Sequence, residues 1–188
     1  MKRIIVGISG ASGAGLGLRF LKALPGELEK YCVISNGAKQ VLLSEEGRKE
    51  YMEFEAIQTK DNKIFILEDS DMGACIASGS FVCEAMAVIP CSQNTLAKIA
   101  CGISDTLITR AASVMIKEQR KLLLSPREMP LSPIVLENML KLSKLRVIMA
   151  PPIVGYYAGG DLESIEHMLI GKWCDSLEIP YKYKRWGE

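Results

Sequence analysis

Lys2-Arg3-Ile4-Ile5-Val6-Gly7-Ile8-Ser9-Gly10-Ala11-Ser12-Gly13-Ala14-Gly15-Leu16-Gly17 is the stretch that decides the architecture. The apolar run Ile4-Ile5-Val6-Gly7-Ile8 reads as a short buried strand that passes straight into a turn of glycine and small hydroxyl residues. A helical pattern follows, with Leu16, Phe20, Leu21 and Leu24 on one face. Strand, small-residue turn and helix together expose the first N–H groups of the helix to an anion. Gly10 and Gly13 let the backbone approach a ligand, and Ser9 and Ser12 add hydroxyl donors. This is not the usual dinucleotide spacing, because Gly13, Gly15 and Gly17 fall inside the helix rather than before it. The lysine of a P-loop is missing, which argues against a nucleoside triphosphatase.

Working outward, Tyr31-Cys32-Val33-Ile34 reads as a second strand, closed by Ser35-Asn36-Gly37 and followed by a helix from Ala38 to Glu46. The segment from Arg48 to Asp61 is charged and ambiguous. Lys63–Leu67 is a third strand, and Glu68 to Ser80 is a long connection holding Ser78-Gly79-Ser80, of the length expected for a site loop. Ala85–Ile89 is a fully apolar strand of the kind buried between helical layers, with Pro90 at its end and Cys91–Thr95 opening a helix. The stripe Leu107, Ile108, Ala111, Ala112 and Met115 marks another helix. Lys121–Leu124 is a fifth strand with Ser125–Glu128 as its turn, and Ser132-Pro133 is a cap and first-turn proline for a helix through Leu142. Arg146–Met149 is a sixth strand, and Leu162, Ile165, Leu169 and Trp173 stripe a last helix.

This alternation predicts an α/β fold: a Rossmann-like or flavodoxin-like three-layer sandwich around a mainly parallel, doubly wound sheet, in one domain over residues 1–188. Four strands end in small or charged polar turns, Ser9–Gly13, Ser35–Gly37, Cys91–Thr95 and Ser125–Glu128. A doubly wound sheet gathers those ends along one edge, where ligands bind. Serine, asparagine, threonine and arginine on one edge predict a nucleotide or flavin phosphate.

The net charge of +1 gives no sign of a nucleic-acid partner or an anionic membrane surface. Cys32, Cys75, Cys83, Cys91, Cys101 and Cys174 show no C-x-x-C spacing. They read as reduced, buried small residues of a cytoplasmic protein rather than as a disulfide framework or zinc site. No signal peptide fits the amino terminus, and no apolar run reaches the roughly 18 residues of a membrane span.

Once Ser92-Gln93-Asn94-Thr95 and Ser125-Pro126-Arg127-Glu128 join the opening turn, the chain resembles the UbiX-type flavin prenyltransferases. Ser78-Gly79-Ser80-Phe81, Pro90-Cys91-Ser92, Thr109-Arg110-Ala111-Ala112, Leu136-Glu137-Asn138-Met139 and Arg185-Trp186 follow in the family's order, nearly end to end. The resemblance implies a homo-oligomer, typically a dodecamer, acting in ubiquinone biosynthesis. It joins the dimethylallyl group of dimethylallyl phosphate to reduced FMN, at N5 and C6, and the prenylated FMN serves a partner UbiD-type decarboxylase. By the same resemblance Gly10, Ala11, Ser12, Ser35, Ser92, Gln93, Asn94, Thr95 and Arg127 would hold the flavin and its phosphate. Tyr157 and Lys172 would hold dimethylallyl phosphate, with Lys117, Arg127 and Glu128 at the same place. Glu45, Arg110 and Trp186 match further site or neighbouring-subunit positions.

Such chemistry asks for these residue types. Cations and a hydroxyl (Lys117, Arg127, Lys172, Tyr157) stabilise a phosphate as it leaves an allylic carbon. Glu128 can pass it a proton, and Ser12 is placed to assist proton movement. The chain has no aspartate-rich metal motif, so a metal-independent transfer is expected. Lys172 stands where relatives usually carry arginine, which turns a forked grip into a single-point contact. Gln93-Asn94 is closer to the related flavoprotein cysteine decarboxylases. Those decarboxylases are the enzymatic alternative, but they depend on a histidine after the second or third strand, and His167 in the last helix is the only histidine. A non-catalytic FMN-binding protein is the other alternative; it does not account for Glu128, Lys117 and Tyr157 together.

Overall fold

The computed structural model describes residues 1–57 and 61–187, apart from the side chains of residues 49, 50 and 53. Among them, β1 (Arg3–Ile8), β2 (Glu29–Ile34), β3 (Ile64–Glu68), β4 (Ala85–Cys91), β5 (Lys121–Pro126) and β6 (Ile148–Met149) make one sheet. Its order is β3-β2-β1-β4-β5-β6 and every pairing is parallel. The winding reverses between β1 and β4, so the carboxyl ends of these two strands form the switch point at which open α/β sheets bind ligands.

The strands are apolar through their middles because helices cover both faces, and Arg3, Glu29, Lys30, Glu68 and Lys121 stand only at or next to strand ends. Ile4, Val6, Ile8, Ala85, Ala87 and Ile89 pack with helices α1 (Ala14–Ala23) and α7 (Leu162–Ser176). On that side also lie α2 (Asn36–Glu45) and α3 (Arg48–Glu55), through Leu42 and Phe54. Ile5, Met86, Val88, Leu122 and Leu124 face the other layer: α4 (Gln93–Cys101), α5 (Leu107–Lys117) and α6 (Pro133–Lys144). The expected three-layer α/β sandwich is thus present.

Several boundaries differ from the sequence reading. Gly13 is not inside α1 but caps it in the left-handed conformation, with φ 88°. Gly17 does lie inside, and a Cβ there would come within 2.1 Å of the Ile89 carbonyl oxygen. That glycine lets α1 pack directly on the backbone of β4. Pro90 does not end β4. The strand runs on to Cys91 through a register shift between Val88 and Cys91, which absorbs the missing donor of the proline. The extra residue inverts the alternation: Ala85, Ala87 and Ile89 face one layer, whereas Cys91 faces the other.

Elsewhere β5 continues through Ser125 and Pro126, and α6 continues to Lys144. β6 is only Ile148–Met149, after a left-handed Arg146 at φ 65°. Within the charged segment, 48–55 is helix, and residues 58–60 lie outside the described residues. Leu162 is 69% exposed, so the core stripe of α7 is carried instead by Met168, Leu169 and Trp173. The cysteines are free; Cys32, Cys83, Cys91 and Cys174 are buried as expected, but Cys75 and Cys101 are exposed. No described helix is long and apolar enough to cross a membrane.

Candidate functional site

At the switch point the ends of β1 and β4 are stitched together by one side chain. Ser9 is 1% exposed; its Oγ donates to the Pro90 carbonyl (3.0 Å) and accepts the Ser92 N–H (2.7 Å). Its hydroxyl is therefore a structural brace, not the ligand donor expected of it. The first turn of α1 is likewise engaged, because the Glu45 carboxylate accepts the Gly13 N–H at 2.8 Å. A negative group already faces the positive end of that helix.

The helix starts that open toward the sheet edge belong to α2 and α4. Ser35 caps α2 by accepting the Ala38 N–H (3.1 Å). Ser92 caps α4 by accepting the Thr95 N–H (3.2 Å), and its hydroxyl donates to Thr95 Oγ1 (3.0 Å). Both caps stand beside a cavity of about 530 Å³. Gly10, Ala11, Ser35, Ser92, Gln93, Asn94, Thr95, Arg127 and Glu128, all expected from the sequence, line it together. This volume lies within the roughly 300–1,000 Å³ of small-molecule sites. A donor set of hydroxyls, amides, helix starts and one guanidinium fits the phosphate, polyol and polar ring edge of FMN.

The cavity also takes in Gly37, from the expected turn after β2, and Asp69, Lys98, Thr106, Ile108 and Thr109, which the sequence reading did not name as site residues. Asp69 Oδ1 accepts the Ile108 N–H at 2.9 Å, so an acid from the connection after β3 supports the start of α5. Thr106 and Thr109 form a reciprocal capping box there. The T-x-x-T spacing was a usable signal for that helix start. Lys98 pairs with Asp105 at 2.7 Å, and that hydrogen bond holds the Asp105 carboxyl below the usual carboxylate range. In the same long connection, Ser78–Ser80 lies away from the cavity, where the Gly79 carbonyl accepts from Arg120 (2.8 Å).

At the rim of the cavity, Glu128 is held from two sides. Gln93 Nε2 donates to its Oε2, and the Met129 N–H donates to its Oε1 at 3.2 Å.

Tyr157 and Lys172 line a second cavity of about 300 Å³ with Ile153, Val154, Met168 and Trp173. Trp173 Nε1 donates to the Ala150 carbonyl (3.0 Å), which fixes one wall. Trp186 meets the Tyr157 ring edge-on, with ring centroids 5.6 Å apart. The tail that carries Trp186 is tied to α7 through Asp175, whose carboxylate accepts from Arg185 (2.7 and 2.8 Å) and from Tyr183 (2.5 Å). Arg185, with Tyr183, holds the Asp175 carboxyl below its ordinary range.

The remaining expected residues lie outside both linings. Ser12 is exposed on the first turn. Lys117 is exposed at the end of α5 and paired with Glu118. Arg110 is half-buried, and its Nε donates to the Ala77 carbonyl (2.9 Å). His167 is exposed on α7, with Nδ1 3.2 Å from the Tyr181 hydroxyl.

Comparison with known proteins agrees with this geometry. The family described as Flavoprotein matches residues 1–170. A flavin prenyltransferase UbiX of Helicobacter pylori is 46% identical over 187 residues, covering 98% of each chain. A dodecameric FMN-dependent UbiX-like decarboxylase from Escherichia coli O157:H7 superposes with a TM-score of 0.88 at 39% identity, over 99% of this chain and all of that one. AnUbiX, solved with FMN and dimethylallyl pyrophosphate, superposes with a TM-score of 0.90 at 34% identity, over 100% and 98% of the two chains. With a polar cavity at the switch point and likeness along nearly the entire chain, this protein belongs to the UbiX flavin prenyltransferase family of flavoproteins.

Proposed function

We propose that the chain is a flavin prenyltransferase. It transfers a dimethylallyl group from dimethylallyl phosphate to N5 and C6 of reduced FMN, and a UbiD-type decarboxylase uses the product. The observation that carries this reading is a cation and an acid, Arg127 and Glu128, on the wall of a cavity whose other donors suit a flavin phosphate. Reduced FMN supplies the nucleophile when bound. The caps of α2 and α4 orient it through Ser35, Ser92 and Thr95, with Gly10 and Ala11 allowing close approach.

The departing phosphate needs compensation as positive charge grows on the allylic carbon. Arg127 supplies a two-point cation at the flavin cavity. Lys172 and the Tyr157 hydroxyl line the separate second cavity, and as a point cation and a donor they would reach that same phosphate from a neighbouring subunit. Glu128 passes the phosphate its proton, and Ser12, on the exposed turn, assists proton movement. Lys117, Arg110, Glu45 and Trp186 complete the site in a homo-oligomer, a dodecamer, in the cytoplasm. The reaction serves ubiquinone biosynthesis.

The test is mass spectrometry of the released flavin, after incubation with reduced FMN and dimethylallyl phosphate without oxygen. A flavin heavier by one prenyl unit is expected. Recovery of unmodified FMN alone would sink the transferase and leave a flavin-binding protein.

A further inference from the structure

We infer that Gln93 is a positioning residue for Glu128: its side-chain amide fixes the carboxylate at the rim of the flavin cavity before any substrate arrives. This rests on the transferase reading, within which Glu128 is the acid.

The contact follows from the strand register. β4 and β5 are neighbours, Cys91 is paired with Pro126, and the Arg127 N–H bonds to the Cys91 carbonyl at 3.2 Å. Gln93 and Glu128 each lie two residues beyond that pair, so the two side chains emerge side by side from adjacent strand ends. The register shift around Pro90 sets this match; without the extra residue the opening of α4 would be displaced along the strand.

The chemistry makes the contact directional. Glu128 Oε2 is the acceptor in this contact, so Gln93 presents its NH₂ rather than its carbonyl oxygen. Gln93 Nε2 takes Oε2 and the Met129 N–H takes Oε1, which fixes the carboxylate plane from both sides. A free glutamate on an exposed rim would sample several rotamers, and only some would point at a departing phosphate. The Gln93-Asn94 departure from the family pattern thereby acquires a role: an amide stands next to the acid that it orients.

Gln93 is exposed and is the first residue of α4, so its replacement leaves the core untouched. The test is a double-mutant cycle of wild type, Q93M, E128Q and Q93M/E128Q. Single-turnover formation of prenylated flavin is followed by mass, and the FMN dissociation constant is followed by flavin fluorescence. At FMN concentrations that saturate each variant, Q93M should slow turnover roughly tenfold in the wild-type background and have less than about twofold effect once Glu128 is glutamine. Q93N, whose amide falls short, should match Q93M. An equal loss in both backgrounds, or unaltered turnover in Q93M, would overturn the assignment. Wild-type protein that makes no prenylated flavin would instead remove the transferase reading itself. In that case a crystal structure with Glu128 turned away from Gln93 would separately refute the contact.

Discussion

A hydroxyl at the end of a strand has two possible employers, a ligand or the chain itself, and Ser9 belongs to the chain. Its Oγ bridges the Pro90 carbonyl and the Ser92 N–H, partners 81 and 83 residues away, inside the fold. Ser9→Ala would take the partner from the Ser92 N–H, whereas the Pro90 carbonyl keeps the Ser9 N–H at 3.1 Å, so a loss of about 1 kcal/mol in unfolding free energy is expected, read as a lower urea midpoint with unchanged slope. An unaltered midpoint would mean that water or a backbone shift satisfies that N–H. The sequence made Ser9 and Ser12 look equivalent because residue type is local, whereas the role of Ser9 depends on where β4 ends. Gly10, Ser35, Ser92 and Arg127, placed by backbone position at strand ends, were legible as neighbours and do line one cavity; a residue placed by a distant partner was not. Asp69 is the plainest case: the connection that holds it has the length of a site loop, but its own role is set by the first turn of α5.

Among the elements, the closest approach is that of α1 to β4. Gly17→Ala offers about 1 kcal/mol of added helix propensity. It also drives a Cβ to 2.1 Å from the Ile89 carbonyl oxygen, and overpacking of this kind costs about 1–3 kcal/mol. Net destabilisation in chemical denaturation is the expected result. Gly26→Ala, with nothing within 4 Å of its added Cβ, should stay within about 0.5 kcal/mol of wild type. A stabilised Gly17→Ala would mean that α1 can ride away from the sheet freely. Elements with strong periodicity, β1, β2, β4 and α5, were readable from pattern alone. Pro90 misled because a proline usually closes a central strand, and only the register shift lets β4 carry it. Leu162 misled because it falls at the right spacing but in the first turn of α7, before that helix reaches the core.

For the whole molecule, the buried thiols set an alkaline limit. Burial pushes Cys32, Cys83 and Cys174 from an ordinary value of 9.0 up to about 12. Tyr183 rises from 10.0 to about 12, by burial and then by its bond to the Asp175 carboxylate. These folded-state values are raised, so the stability they contribute is complete below pH 9 and is lost as pH climbs toward 12, because the unfolded chain releases protons that the native chain retains. Under reducing conditions the urea midpoint should therefore drop between about pH 7.5 and about pH 10.5, and a flat profile would contradict the burial of these groups. The flavin cradle has a different consequence. It draws on the ends of β1, β2, β4 and β5, from Gly10 to Glu128, so it does not exist in any partly assembled chain. Vitamin supply and protein survival are then linked by mass action: every increment of free flavin above its dissociation constant shifts the population away from the unfolded chain, and a starved cell would hold a more fragile pool of this protein.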